Sequence, residues 1–489
     1  MSSNVTQKHW LAGLGSARLF WVLLGLHAVL ILGLALLMHK AITPDDRYTY
    51  LGLAEGMQHG RYSFWYFLPD YIPDTFRNPG YPVFLYLLEL VGIGELGTYL
   101  VQAALYIALL AMLLRLMSHL EAKNEQSWLV RNLFLLLLIP NVHLLYVCFY
   151  IYPEMLHAFF LAAFGVTALT LPVGSWGRAV ALGLLGGLVF QVRPVFVLLP
   201  LGLLVLDYWR TRRTGAFSWA QAITLLVVFG ATMLPYAAWN HRHHGVWKVT
   251  SLEGGAGVMQ IGFWALRMPG YTEQRYWGNV MGDEVISFAD PAAIPGYVAA
   301  FNHEWDIVEA QCRPLLTPRD LHNLALMRQN SRSGTYPTYS SAYTLRREQE
   351  LMKANLANIR REPGYYLKTR LYTLVRLWIT GVQRPAWRAA TSPVAKLKVL
   401  LPTLISGITF VLGLLGVGWG LLHQRQLRPV AAAWWLALLI VVYYSVVHLP
   451  FAIQARYTLP ARPWLLLLIA LSGAAWLRRR EAVPTAAER

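Results

Sequence analysis

Cysteine is nearly absent from this 489-residue chain: only Cys148 and Cys312 occur, too few for a disulfide framework. Charge is scarce as well, at 14% of residues against about 25% in an ordinary soluble domain. Acidic residues are the scarcer sign, 25 against 42 Lys and Arg, which leaves a formal net charge of +17. That excess raises nucleic-acid binding as a function class. No basic run interleaved with stacking aromatics sits in a soluble module, so nucleic acid is set aside as a partner. No repeat period and no low-complexity segment is present.

What is abundant is hydrophobic sequence, 56% of the chain. It falls in long runs: Leu19–Met38, Thr98–Met117, Asn132–Tyr150, Met155–Leu171, Ala179–Val192, Pro194–Tyr208, Trp219–Trp239, Val399–Leu422, Val430–His448 and Ala461–Trp476. A bilayer core needs roughly 20 helical residues, so the expected class is an all-α integral membrane protein of about ten spans. The first run is too long for a signal-peptide core and reads as an uncleaved span. Val83–Val91 is apolar but too short to cross, and Pro82–Leu90 is expected as an interfacial helix. Arg115, Lys123 and Arg131, then Arg178, then Arg210, Arg212 and Arg213 mark short basic connections. The positive-inside bias places these in the cytoplasm with both termini. Three regions follow from this topology. Residues 1–239 hold seven spans and a first outer loop, 41–82. Residues 240–378 form a large outer loop ending in an amphipathic stretch, with Leu367, Leu371, Leu374, Val375 and Trp378 on one face. Residues 379–489 hold the last spans and a short cytoplasmic tail.

The span centres hold almost no charge. Asp46, Arg77, Glu154, Arg193 and Arg456 instead stand near the outer ends of spans, where each needs a partner or a wet cavity. Arginines bind phosphate bidentately, and a carboxylate beside them can take a proton from a hydroxyl. One cavity could then hold a lipid-linked phosphate and activate a nucleophile. Each residue also has a plainer reading. Asp45 or Asp46 would cap a helix beginning near Arg47. Arg77-Asn78-Pro79-Gly80 would serve as a turn, and Glu154 as the first-turn acid of a helix after Pro153. Arg193 and Arg456 would snorkel to headgroups. His241, His243 and His244 have no closed zinc-site spacing, and Gly254, Gly255 and Gly257 follow no strand, so both groups read as loop. A divalent metal is compatible with the sequence but not indicated, and no cofactor is called for.

Asp46-x-x-x-Tyr50-x-x-x-Ala54, followed by Arg77-x-Pro79-Gly80-Tyr81-Pro82, resembles the first outer loop of GT-C superfamily glycosyltransferases. The resemblance is to the bacterial relatives of protein O-mannosyltransferases and lipid A aminoarabinose transferases. Tyr152-Pro153-Glu154, Val192-Arg193-Pro194 and Arg456-Tyr457-x-x-Pro460 fall where that family has comparable motifs. The resemblance implies a GT-C-like bundle with residues 1–239 as its catalytic module. It implies a polyprenyl-phosphate-linked sugar as donor and a lipid, glycan or protein acceptor at the outer face of a bacterial inner membrane. The catalytic base is expected at Asp46 or Asp45, with Glu154 as the next candidate. Substrate contacts are expected from Tyr50, Arg77, Tyr81, Arg193, Arg456 and Tyr457. A transporter or flippase, and an outer-face glycan ligase or polymerase, are the competing functions.

Overall fold

The computed structural model describes residues 13–37, 46–122, 128–253, 255–264, 266–267, 290–330, 340–380, 387, 389–451 and 455–482. Among these residues the regular structure is helical throughout and contains no strand. The first half of the chain runs α1 (Ala17–Leu37), α2 (Asp46–Gln58), α3 (Gly80–Leu90), α4 (Glu95–Ala122), α5 (Leu129–Leu138), α6 (His143–Tyr146), α7 (Glu154–Thr170), α8 (Trp176–Val192), α9 (Leu199–Thr211), α10 (Trp219–Ala231) and α11 (Leu234–His244). The second half continues with α12 (Ala256–Trp264), α13 (Ile294–Cys312), α14 (Pro318–Asn330), α15 (Ser341–Arg361), α16 (Pro363–Trp378), α17 (Pro393–Leu422), α18 (Ala431–Val447) and α19 (Arg462–Ala482).

Among the described residues, seven helical stretches are long and apolar enough to cross a bilayer: Ala17–Leu37, Glu95–Glu121, Pro194–Thr211, Trp219–His244, Pro393–Leu422, Arg428–Val447 and Arg456–Arg479. An eighth is the pair Leu129–Leu138 and His143–Phe149, bent by 60° at its break. Pro140 stands in that break and has no N–H to continue the helical ladder. The runs expected at Met155–Leu171 and Ala179–Val192 form α7 and α8, apolar helices of 17 residues each. The protein is therefore an all-helical, multi-pass membrane protein. The short run after Pro82 forms the 11-residue α3, about 16 Å long at 1.5 Å per residue and too short to cross.

Burial sorts the helices. The chain's last helical span is almost wholly enclosed, packed among α5, α17 and α18. By contrast α1 presents Trp21, Leu26, Val29, Leu32 and Leu36 outward, as a lipid-facing helix does. α8 packs between α7 and α10. Its N-terminal Arg178 pairs with Asp207 of α9 at 2.7 Å, and both are buried. Arg193 caps the other end of α8, about 22 Å away along the axis. The amphipathic stretch near 367–378 is α16. Its Leu367 and Leu371 are exposed, while Arg370 turns inward and donates to the carbonyls of Gly262 (2.7 Å), Leu449 (2.5 Å) and Phe451 (3.1 Å). The glycine-rich segment after Glu253 is not all loop. Gly257 lies within α12, whose first amide, Ala256 N, donates to Glu348 at 3.1 Å; Gly254 lies outside the described residues.

Candidate active site

Five charged side chains from five separate places in the sequence form one chain of alternating sign. Asp46 begins α2. Its Oδ1 accepts from Arg77 Nη2 at 2.5 Å and its Oδ2 from Arg456 Nη2 at 2.9 Å. Arg456 Nε lies 3.9 Å from Glu154 Oε1, and Arg193 Nη1 donates to the same oxygen at 3.1 Å. The order is Arg77, Asp46, Arg456, Glu154, Arg193: three cations and two anions, one positive charge in surplus.

Local sequence explains each placement. Glu154 follows Pro153 and starts α7, where free helix amides favour a carboxylate. Arg193 ends α8 in an extended conformation (φ −147°, ψ 114°) that its following proline favours. Gly80 is the first residue of α3, three after Arg77. A Cβ there would lie 2.4 Å from the Gln191 carbonyl carbon and 2.6 Å from the Val192 amide. Only a glycine lets the chain after Arg77 touch the backbone just before Arg193.

Aromatic rings back the guanidiniums. Arg77 lies over Tyr50 (4.6 Å) and Phe76 (4.3 Å), Arg456 over Tyr152 (4.5 Å), and Arg193 over Tyr457 (5.0 Å). Tyr457 also stacks on His448, with centroids 5.3 Å apart. Such stacking holds cations without using their hydrogen-bond donors. Three buried atoms of the cluster carry no hydrogen bond among the described residues: Arg77 Nε, Arg456 Nε and Glu154 Oε2. Buried polar atoms are normally satisfied, and these three leave hydrogen-bonding capacity unused at the cluster, as Arg347 Nε and Asp207 Oδ1 do elsewhere.

Asp46 and Glu154 differ in exposure. The Glu154 side chain is 1% exposed and the Asp46 side chain 27%. Burial alone would raise the Asp46 pKa, but the Arg77 and Arg456 guanidiniums outweigh it and hold the carboxyl well below the usual carboxylate range. Asp46 is thus ionised and engaged on both oxygens.

The structure brings together Asp46, Glu154, Arg77, Arg193 and Arg456, with Tyr50 and Tyr457 as backing rings. Tyr81 stands behind them: it is fully buried, and its hydroxyl donates to Gln102 Oε1 at 3.0 Å. Asp45 lies outside the described residues. The three histidines diverge, His241 onto Trp247, His243 between Tyr71 and Trp239, and His244 toward Ser341. No trio of His, Cys, Asp or Glu side chains is grouped for a metal among the described residues. Sequence reasoning missed the aromatic platform at Tyr152 and the role of Asp74. Asp74 Oδ2 accepts from the amides of Phe76 and Arg77, an Asp-x-x turn pattern visible in the sequence.

No protein-family model matches the sequence, and neither does any curated protein. Among solved structures, the chain is similar to the crystal structure of ArnT from Cupriavidus metallidurans bound to undecaprenyl phosphate. The match has 15% identity, 92% of this chain and 78% of that one covered, and a TM-score of 0.33. At that score the likeness is too slight to bear on fold or activity.

Proposed function

We propose that the protein is an integral-membrane, inverting glycosyltransferase. It moves a sugar from a polyprenyl-phosphate donor to an acceptor hydroxyl or amine at the outer face of a bacterial inner membrane. The observation that carries this reading is the chain of three arginines and two carboxylates centred on Asp46. A sugar phosphodiester bears one negative charge and brings that cluster to neutrality. During transfer the acceptor oxygen bonds to the anomeric carbon from the face opposite the phosphate. The carbon–oxygen bond to phosphate breaks, and the leaving phosphate gains the electron pair and a second negative charge. Arg77, Arg193 and Arg456 are placed to take up that developing charge.

Asp46 is the proposed base. With both oxygens on arginines it is a poor proton acceptor. A phosphate that draws Arg77 or Arg456 toward itself frees one Asp46 oxygen and raises its basicity, so donor binding prepares the base. Glu154 holds Arg193 and Arg456 at one oxygen and is the alternative base. Tyr50 and Tyr457 support the phosphate-binding guanidiniums, and Tyr81 supports Tyr50 through an edge contact, centroids 5.0 Å apart. The 240–378 region is assigned to acceptor recognition.

A glycan ligase or polymerase shares the lipid-linked donor, and an assay with defined donors separates it from the proposed transferase. A transporter is disfavoured because the span centres hold almost no charge, whereas transporter sites are polar and sit near the bilayer midplane. The test is donor binding by Arg77→Ala, Arg193→Ala and Arg456→Ala. Loss of a buried charge contact costs about 2–5 kcal/mol, so at least two of the three should bind donor tens-fold or more weakly while still folding. Normal donor affinity in all three removes the proposal.

A further inference from the structure

Arg77 is held by more than Asp46. The Asp74 Oδ2 atom accepts from the amides of Phe76 (3.0 Å) and Arg77 (2.7 Å). The Arg77 carbonyl accepts from the hydroxyls of Tyr62 (2.8 Å) and Tyr236 on α11 (3.1 Å). Asp74 itself is anchored at both main-chain groups: its N–H donates to the Tyr62 carbonyl at 3.0 Å, and its carbonyl faces His244 Nε2 at 3.1 Å. The other His244 nitrogen meets Ser341 Oγ at 2.7 Å, at the start of α15. The neighbours of Arg77 are tied to the same region. Thr75 bonds Glu253 through side chain and backbone (2.7 and 2.9 Å), and Asn78 Oδ1 accepts from the Ser251 amide at 2.9 Å.

We propose that Asp74 is a positioning residue for Arg77: its carboxylate fixes the backbone from which that guanidinium reaches Asp46, and its carbonyl ties this backbone to the 240–378 region. The inference rests on the reading of Arg77 as a phosphate contact. A turn whose only task was to reverse the chain could leave its carboxylate in water, where it is cheap to keep ionised. Asp74 is 2% exposed, and burying a carboxylate is costly. The bonds around it converge on one residue, Arg77, whose side chain then needs little further ordering to meet an anion. Without Asp74, two amides beside Arg77 lose their acceptor and the arginine samples other directions.

The experiment uses the full-length protein in lipid vesicles, with a short-chain polyprenyl monophosphate as the binding probe. Asp74→Ala should weaken binding about tenfold, and Asp74→Asn, whose amide oxygen still accepts from both N–H groups, should bind within about threefold of the parent. Asp74→Glu keeps the charge but displaces the oxygen by a methylene. It should bind as weakly as the alanine variant, and it carries the test if Asp74→Ala does not fold. The double variant Asp74→Ala/Arg77→Ala should bind no worse than Arg77→Ala alone, because Asp74 acts through that guanidinium. Normal binding by Asp74→Ala and Asp74→Glu beside weak binding by Arg77→Ala overturns the positioning role and leaves the phosphate site standing. Additive losses in the double variant overturn it too. Normal binding by Arg77→Ala instead removes the phosphate reading, and the positioning role with it.

Discussion

Asp46 carries the sharpest consequence of the geometry. It contributes one of only two negative charges against three arginines. Asp46→Asn raises the surplus from one positive charge to two and removes the competitor for Arg77 and Arg456. The variant should therefore bind donor at least as tightly as the parent while transfer falls about 10²- to 10⁴-fold, the usual contribution of a general base. Binding and single-turnover transfer, measured side by side, check this; wild-type turnover would shift the base to Glu154 or Asp45. Asp74 makes a different prediction. Burial pushes its carboxyl up to about 6, against the two amides that favour the ionised form. Glu253 and Arg77 face it as charges, with Tyr62, Tyr236 and His244 as its polar surroundings. A folded pKa above the unfolded one near 3.9 means the folded state holds its proton longer. Stability from this group is present below about pH 4 and is lost as pH rises through 6, a change of about 3 kcal/mol at most. Asp74→Asn should accordingly raise the melting temperature at pH 7.5 and leave it nearly unchanged at pH 4. An equal effect at both pH values would contradict this account of the charge.

At the scale of elements, the site depends on how closely α3 approaches α8. The Gly80 contact with the Gln191–Val192 backbone brings α3 against α8, three residues after Arg77 and one before Arg193. Gly80→Ala forces one element back, since backbone cannot yield as a flexible side chain does. Donor affinity should drop about tenfold or more while the spans, which pack elsewhere, keep the protein folded. Thermal unfolding and donor binding measured together check this. An affinity unchanged by a β-carbon there would mean the two arginines need not share a ligand. Elements were also where the sequence was most and least readable. Hydropathy located α1, α4, α17 and α18 because lipid-facing helices are apolar all round. The same signal could not show that Asn132–Tyr150 bends by 60°, since one apolar run spells a straight or a broken helix alike until Pro140 is weighed. The 240–378 region gave little in advance. Most of its helices pack in small satellite clusters, such as Phe263, Trp264 and Phe301, and only the end of α16 joins the main core through Leu377 and Trp378 among the described residues.

For the whole molecule, five charges at the ends of apolar runs were legible because an ionised side chain at membrane depth is too costly to be incidental. Which charge would meet which was not. Asp46 and Arg456 are 410 residues apart, and nothing in either segment encodes the other. The ring platform at Tyr152 and the tie from Asp74 to His244 stayed hidden for the same reason, since each joins distant segments, whereas the local Asp74 turn was open to reading. The fold gathers these pieces by bringing together the ends of α2, α7, α8 and the turn before α19. The central claim is that this junction is a phosphate site with Asp46 as its base. A density map of the full-length protein with a polyprenyl phosphate bound tests it most directly. The account predicts the phosphate among Arg77, Arg193 and Arg456, with Asp46 released from at least one arginine and one oxygen open to an acceptor. A phosphate bound elsewhere, with the Arg77–Asp46–Arg456 contacts intact, would contradict it.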